Sequence, residues 1–148
     1  MRRPIVILIV GLLFAGCGQA PAAPAAAAEK PAVVEPVGGD GSLHRITLTP
    51  RAYERLGIQT AEVVPAAGLP GRMTVPYSAV IYGADGAAWA YVVDGGPNEF
   101  VRHALTVADI VPDARGDYAV LAAGPAAGMQ VVSVGVAELY GTEFDVGH

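Results

Sequence analysis

"MTVPYSAVIYGADGAAWAYVV", residues 73–93, decides the fold class. Two runs rich in β-branched and aromatic residues flank "YGADGA", and Asp85-Gly86 is a strong hairpin signal because glycine accepts the left-handed backbone of a tight turn. The same grammar continues downstream. "DGGPN" (94–98) makes the next reversal, and in "EFVRHALTV" (99–107) Val101, His103, Leu105 and Val107 alternate with Phe100, Arg102, Ala104 and Thr106. "DARGD" (113–117) turns again before "YAVLAA", and "GPAAG" (124–128) is a loop before the strand "MQVVSV" and a short helical end at 137–140.

Upstream of the hairpin the signals are mixed. "SLHRITLTP" (42–50) has the imperfect two-residue period of a strand with one apolar face. Thr49 before Pro50, and Gly57 after "RAYERL", supply an N-cap, a proline at the first helical position and a glycine stop. The two-turn helix so bounded faces Tyr53 and Leu56 inward. "IQTAEVV" (58–64) returns to β-formers, and "PAAGLPGR" (65–72) breaks the pattern. Six to eight short strands with one or two short helices predict a mainly β domain, a small barrel or roll, over residues 43–148.

The first 42 residues have a different character. Arg2 and Arg3 precede a nearly unbroken apolar stretch at 5–15, with Ala15 and Gly16 immediately before Cys17. That is the composition of an export signal, and it is shorter than the roughly 20 apolar residues that cross a bilayer. A cysteine at this position resembles the lipobox of bacterial lipoproteins, which implies cleavage after residue 16 and acylation of Cys17; Phe14 departs from the small aliphatic residue usual three places before the cysteine. Cys17 is the chain's single cysteine, so no internal disulfide is available, and acylation removes a thiol that an oxidising compartment would attack. From Gly18 to Ser42 the sequence "GQAPAAPAAAAEKPAVVEPVGGDGS" holds few large apolar groups. Prolines 21, 24, 31 and 36 bias it toward polyproline II, so residues 17–42 read as a lipidated tether.

Loss of Arg2 and Arg3 with the signal leaves 7 basic against 14 acidic residues, a balance of −7. Without a basic block, nucleic acid is not an expected ligand, and membrane association is expected from acyl chains and not from a cationic face. Catalysis is not expected either. Ser133 in "VVSVG" lacks the first glycine of a nucleophile elbow, Ser78 in "PYSAV" has no such context, and no C-x-x-C or H-x-x-x-H pair occurs. His44, His103 and His148 are far apart in sequence, and Met73 and Met129 fall where methionine commonly fills a core. No cofactor and no dedicated metal ligand is assigned. The aromatic residues near the hairpin are expected mainly in the core, with Tyr82, Trp89 and Tyr91 as candidates for a protein-docking patch.

Two blocks carry a family resemblance. "ITLTPRAYERLGIQTAEV" (46–63) resembles the start of the mature region in periplasmic adaptor subunits, or membrane fusion proteins, of RND-type efflux pumps, especially the heavy-metal branch. "VPYSAVIYGADGAAWAYVVDGG" (75–96), "FVRHALTV" (100–107) and "LAAGPAAGMQVVSVGVAEL" (121–139) resemble the C-terminal end of the same family. In that family a long insertion separates the blocks, and the chain ends return to form a membrane-proximal domain. Here "VPAAGLPGR" joins them directly, so the chain resembles the membrane-proximal domain alone. The resemblance implies a lipid-anchored periplasmic binding module whose partner is an RND-type transporter or a full-length adaptor. Two alternatives are a stand-alone periplasmic metal-binding lipoprotein and the remnant of a longer adaptor. Gly18 stands in place of the aspartate associated with inner-membrane retention, which pulls against docking to an inner-membrane pump; the long tether reduces that conflict, and the target membrane stays open.

Overall fold

A computed structural model describes residues 30–39 and 41–145. The expected signal (1–16), Cys17, tether residues up to 29 and His148 lie outside them. The described elements are β1 (Ala32–Val37), β2 (Leu43–Leu48), α1 (Pro50–Leu56), β3 (Gln59–Glu62), β4 (Val64–Pro65), β5 (Met73–Pro76), a 3₁₀ turn (Tyr77–Ala79), β6 (Ile81–Tyr82), β7 (Ala88–Val93), β8 (Glu99–Val111), β9 (Tyr118–Ala123), β10 (Gln130–Val134) and α2 (Val136–Phe144).

The strand order β3-β10-β7-β8-β9-β5-β4 makes a nearly closed barrel. Its two end strands, β3 and β4, are consecutive in the chain and separated only by Val63. That residue is buried, its N–H donates to the Met129 carbonyl at 2.8 Å, and its carbonyl accepts from Gly128 N–H at 2.9 Å. "IQTAEVV" is therefore two strands joined at Val63. Closure leaves little unpaired sheet edge. One long strand, β8, turns the corner. Its first part pairs with β2 through Arg45↔Val101, while residues from Thr106 onward pair with β9, with register shifts between Thr106 and Asp109 that bend the strand.

The hairpin forms where the sequence places it. Ile81 pairs with Trp89, Gly86 has φ 79°, and Asp85 Oδ1 accepts from Ala87 N–H at 3.0 Å. "MTVPYSAVI" is interrupted after Pro76, the last residue of β5, where Tyr77–Ala79 turn as a 3₁₀ segment closed by Val80 N–H donating to the Tyr77 carbonyl at 3.0 Å. Helix α1 is bounded as expected: Thr49 Oγ1 accepts from Ala52 N–H at 3.2 Å, Pro50 opens it and Gly57 is left-handed at φ 61°.

β7 is buried on both faces, which explains why "AWAYVV" is continuously apolar. Ala90, Val92 and Leu105 point into the barrel with Val63, Val75, Leu121 and Val131. Tyr91 and Phe100 point the other way, packing with Ile46, Leu48, Ala52, Ile58, Val132, Val136 and Leu139 beneath α1 and α2. Two small cores share one central sheet.

The structure corrects two sequence expectations. Residues 32–37, placed in the tether, form β1 and pair along their whole length with β2, from Ala32↔Leu48 to Val37↔Leu43. Polyproline II and β backbones are close in φ/ψ, so the prolines that disfavour helix do not prevent a strand once a neighbouring edge offers partners. The ordered domain thus begins before residue 43. The helical end expected at 137–140 is nine residues long and reaches Phe144, because Leu139 and Glu143 give it a buried face and Gly141 is tolerated within it.

Candidate functional site

The register of the central strands brings three polar side chains into one row. Tyr91 on β7 is opposite Arg102 on β8, and the register pairing Arg45 with Val101 places His44 on β2 beside Arg102 on its other side. Strand alternation aims all three toward α2, whose last turn lowers Glu143 onto them. Arg102 Nε donates to Glu143 Oε2 at 2.7 Å and Oε1 at 2.9 Å, and Tyr91 OH donates to Oε2 at 2.6 Å. His44 Nδ1 stands 3.4 Å from Oε1, outside hydrogen-bond geometry. The Glu143 side chain is 0% exposed and that of Arg102 8%. The Arg102 guanidinium lies over Trp89 at 4.5 Å and over Phe144 at 4.9 Å, and its Nη2 reaches the Ser42 carbonyl at 3.4 Å.

Burying a carboxylate and a guanidinium costs several kcal/mol each, roughly. Charge-assisted bonds from Arg102 and Tyr91, with two aromatic faces against the cation, offset that cost. Burial first, and the hydrogen bond to Glu143 second, push the Tyr91 hydroxyl far above the ordinary tyrosine range, so it stays a donor. The cluster fastens α2 to the barrel wall. The polar atoms of Tyr91, Arg102 and Glu143 are engaged with one another, while His44 Nδ1 makes no hydrogen bond, and what the cluster performs is positioning.

The candidate docking aromatics separate accordingly. Tyr91 is 0% exposed and belongs to the core, which corrects its place in a docking patch: an apolar strand buried on both faces leaves it no surface. Trp89 is half-buried and carries the Arg102 cation. Tyr82 is 48% exposed, and its hydrogen bond with Tyr77 pushes its hydroxyl upward.

The residues considered for metal do not converge. His44 faces α2, while His103, one position after Arg102 on β8, points to the opposite face. Met73 and Met129 pack against the barrel interior, and His148 lies outside the described residues. Among the described residues, no group of three or more His, Cys, Asp or Glu is placed to hold a metal ion. The Ser133 hydroxyl donates to the Gln59 carbonyl at 3.3 Å, and Ser78 lies in the 3₁₀ turn. Among the same residues, no helix is long and apolar enough to cross a membrane.

A groove of about 900 Å³ lies between the two helices. Its floor is Pro31, Ala32, Val34 and Leu48; Ala52, Arg55 and Leu56 of α1 form one wall, and Ala137, Glu138, Gly141 and Thr142 of α2 the other. Sequence reasoning missed both features. Glu143 has no local signal, and the groove floor lies partly in residues taken for tether.

No protein-family model, no curated protein and no solved structure matches this chain.

Proposed function

We propose that the protein is a lipid-anchored periplasmic binding module of the adaptor kind, associated with an RND-type efflux system through its transporter or a full-length adaptor, and without chemistry of its own. One observation carries this reading. The two blocks that resemble the adaptor family's chain ends are joined here into one unit: β3 of the first pairs with β10 of the last through Gln130↔Glu62, Val131↔Ala61 and Val132↔Thr60. The resemblance implies that the two ends come together in one domain, and a short connection closes them at lower chain entropy than a long insertion would. The heavy-metal branch is the closer resemblance in sequence.

A module of this kind adds a weak contact whose effect is multiplied by confinement at a membrane. The lipidated protein should therefore co-purify with an efflux component after crosslinking in cells, and the unlipidated domain should bind the same component weakly. Recovery of no efflux component, together with tight binding of copper, silver or zinc by the purified domain, would replace this reading with the metal-binding one.

A further inference from the structure

The groove between α1 and α2 has the features of a helix-binding surface. Its floor is apolar, and Val34 is 38% exposed within it. On the α2 wall Ala137 and Gly141 carry no bulky side chain, so a helix can approach this wall closely. The rim is charged with opposite signs. Arg55 stands on the α1 side, with Lys30 at the start of the floor segment, and Glu138 stands on the α2 side. All three are exposed, and among the described residues none of them is in an ion pair. Strand addition is the poorer fit, because the outer edge of β1 carries Glu35 and Pro36, both of which blunt pairing.

We infer that this groove receives an amphipathic helix of the partner protein, with an apolar stripe at i, i+3/i+4 and i+7 flanked by acidic residues toward Arg55 and Lys30 and basic residues toward Glu138. The inference rests on the docking role proposed above and names its surface. Charge complementarity fixes the orientation of the incoming helix, since reversal would put like charges together on both walls. Val34 and Leu56 anchor its apolar face, and the small residues of the α2 wall set how deeply it sits. The cluster around Glu143 holds the α2 wall in place from beneath.

The test is photo-crosslinking in cells of the full-length, lipid-anchored chain. A photoreactive residue is placed at Ala137 in the groove, and in a second protein at Tyr82 on the hairpin. Crosslinks from Ala137 should map to one segment of an efflux component with the stated helical pattern. The double reversal Arg55→Glu with Glu138→Arg should weaken them by about tenfold, and reversing the partner's flanking charges should restore them. Both rim positions are exposed, and an unchanged thermal melt of the variant separates lost docking from lost folding. Crosslinks to an efflux component from Tyr82 but not Ala137 would overturn the groove while leaving the docking role intact. Crosslinks from Ala137 to an amphipathic helix of a protein outside any efflux system would keep the groove and overturn the proposed function. Crosslinks from Ala137 to residues 18–29 of the same chain or to a second copy, or indifference to the charge reversal, would overturn the inference.

Discussion

Arg102 and Glu143 form a buried ion pair across 41 positions of sequence, with Nε 2.7 Å from Oε2. The pair ties the last turn of α2 to the first part of β8, and Tyr91 OH donates to the same carboxylate oxygen. Removing one partner leaves the other charged, buried and uncompensated. Glu143→Ala should therefore cost about 3–5 kcal/mol. The double variant Arg102→Met with Glu143→Leu should lose less than the two single losses added together, as read from denaturant midpoints. Additive losses would show that the two groups are not coupled.

Tyr91 makes stability fall in alkali. Its folded-state pKa is raised, by burial first and Glu143 second, so the stabilisation tied to its proton is complete below the unfolded tyrosine value of 10.0 and declines as pH rises above it. In the folded protein the Tyr91 tyrosinate absorbance should be missing until the chain unfolds. Tyr91→Phe should flatten the loss of stability above pH 10 and should cost about 1.5–3 kcal/mol at neutral pH, the range for a hydrogen bond to a charged group.

Gly135 sets the approach of α2 to the barrel. It has φ 91°, and a Cβ there would collide with Ile58 Cδ1. Gly135→Ala should lower the melting temperature through both backbone strain and overpacking, about 1–3 kcal/mol for each. Adding Ile58→Val should recover the overpacking part alone.

β1 belongs to the folded domain, so a chain beginning at Ser42 should be less stable than one beginning at Lys30. The six-residue ladder with β2 and the half-buried Ala32 and Val37 are lost with it. A chain beginning at Val75 should not fold cooperatively, because Ile46, Leu48 and Ile58 complete the core beneath the helices. Ile46→Ala alone should cost about 2–5 kcal/mol. Equal melting temperatures for the Lys30 and Ser42 chains would remove β1 from the domain.

Cys17→Ser should move the protein from the membrane to the soluble fraction or leave an uncleaved precursor, since stable anchoring takes two or more acyl chains. An unacylated N-terminus in the intact mass of the mature protein would contradict this.

What the sequence determined by itself is local. The Asp85-Gly86 turn, the Thr49-Pro50 start and Gly57 stop of α1, and the small β-barrel class follow from residues whose backbone preferences act over a few positions. The same rules misplaced β1, because "AVVEPV" has no strand-forming periodicity of its own and becomes a strand only against the edge of β2. They could not find the Tyr91–Arg102–Glu143 cluster. Tyr91 is an aromatic in an apolar run, Arg102 one member of an alternating strand and Glu143 a polar residue near the chain's end; register and the docking of α2 alone bring them within 3 Å. The groove likewise has walls from two helices about 80 positions apart and a floor from the segment read as tether. Turns and caps are decided by local dihedral energetics. Buried charge pairs and grooves are decided by which surfaces exclude water together, and only the tertiary structure settles that.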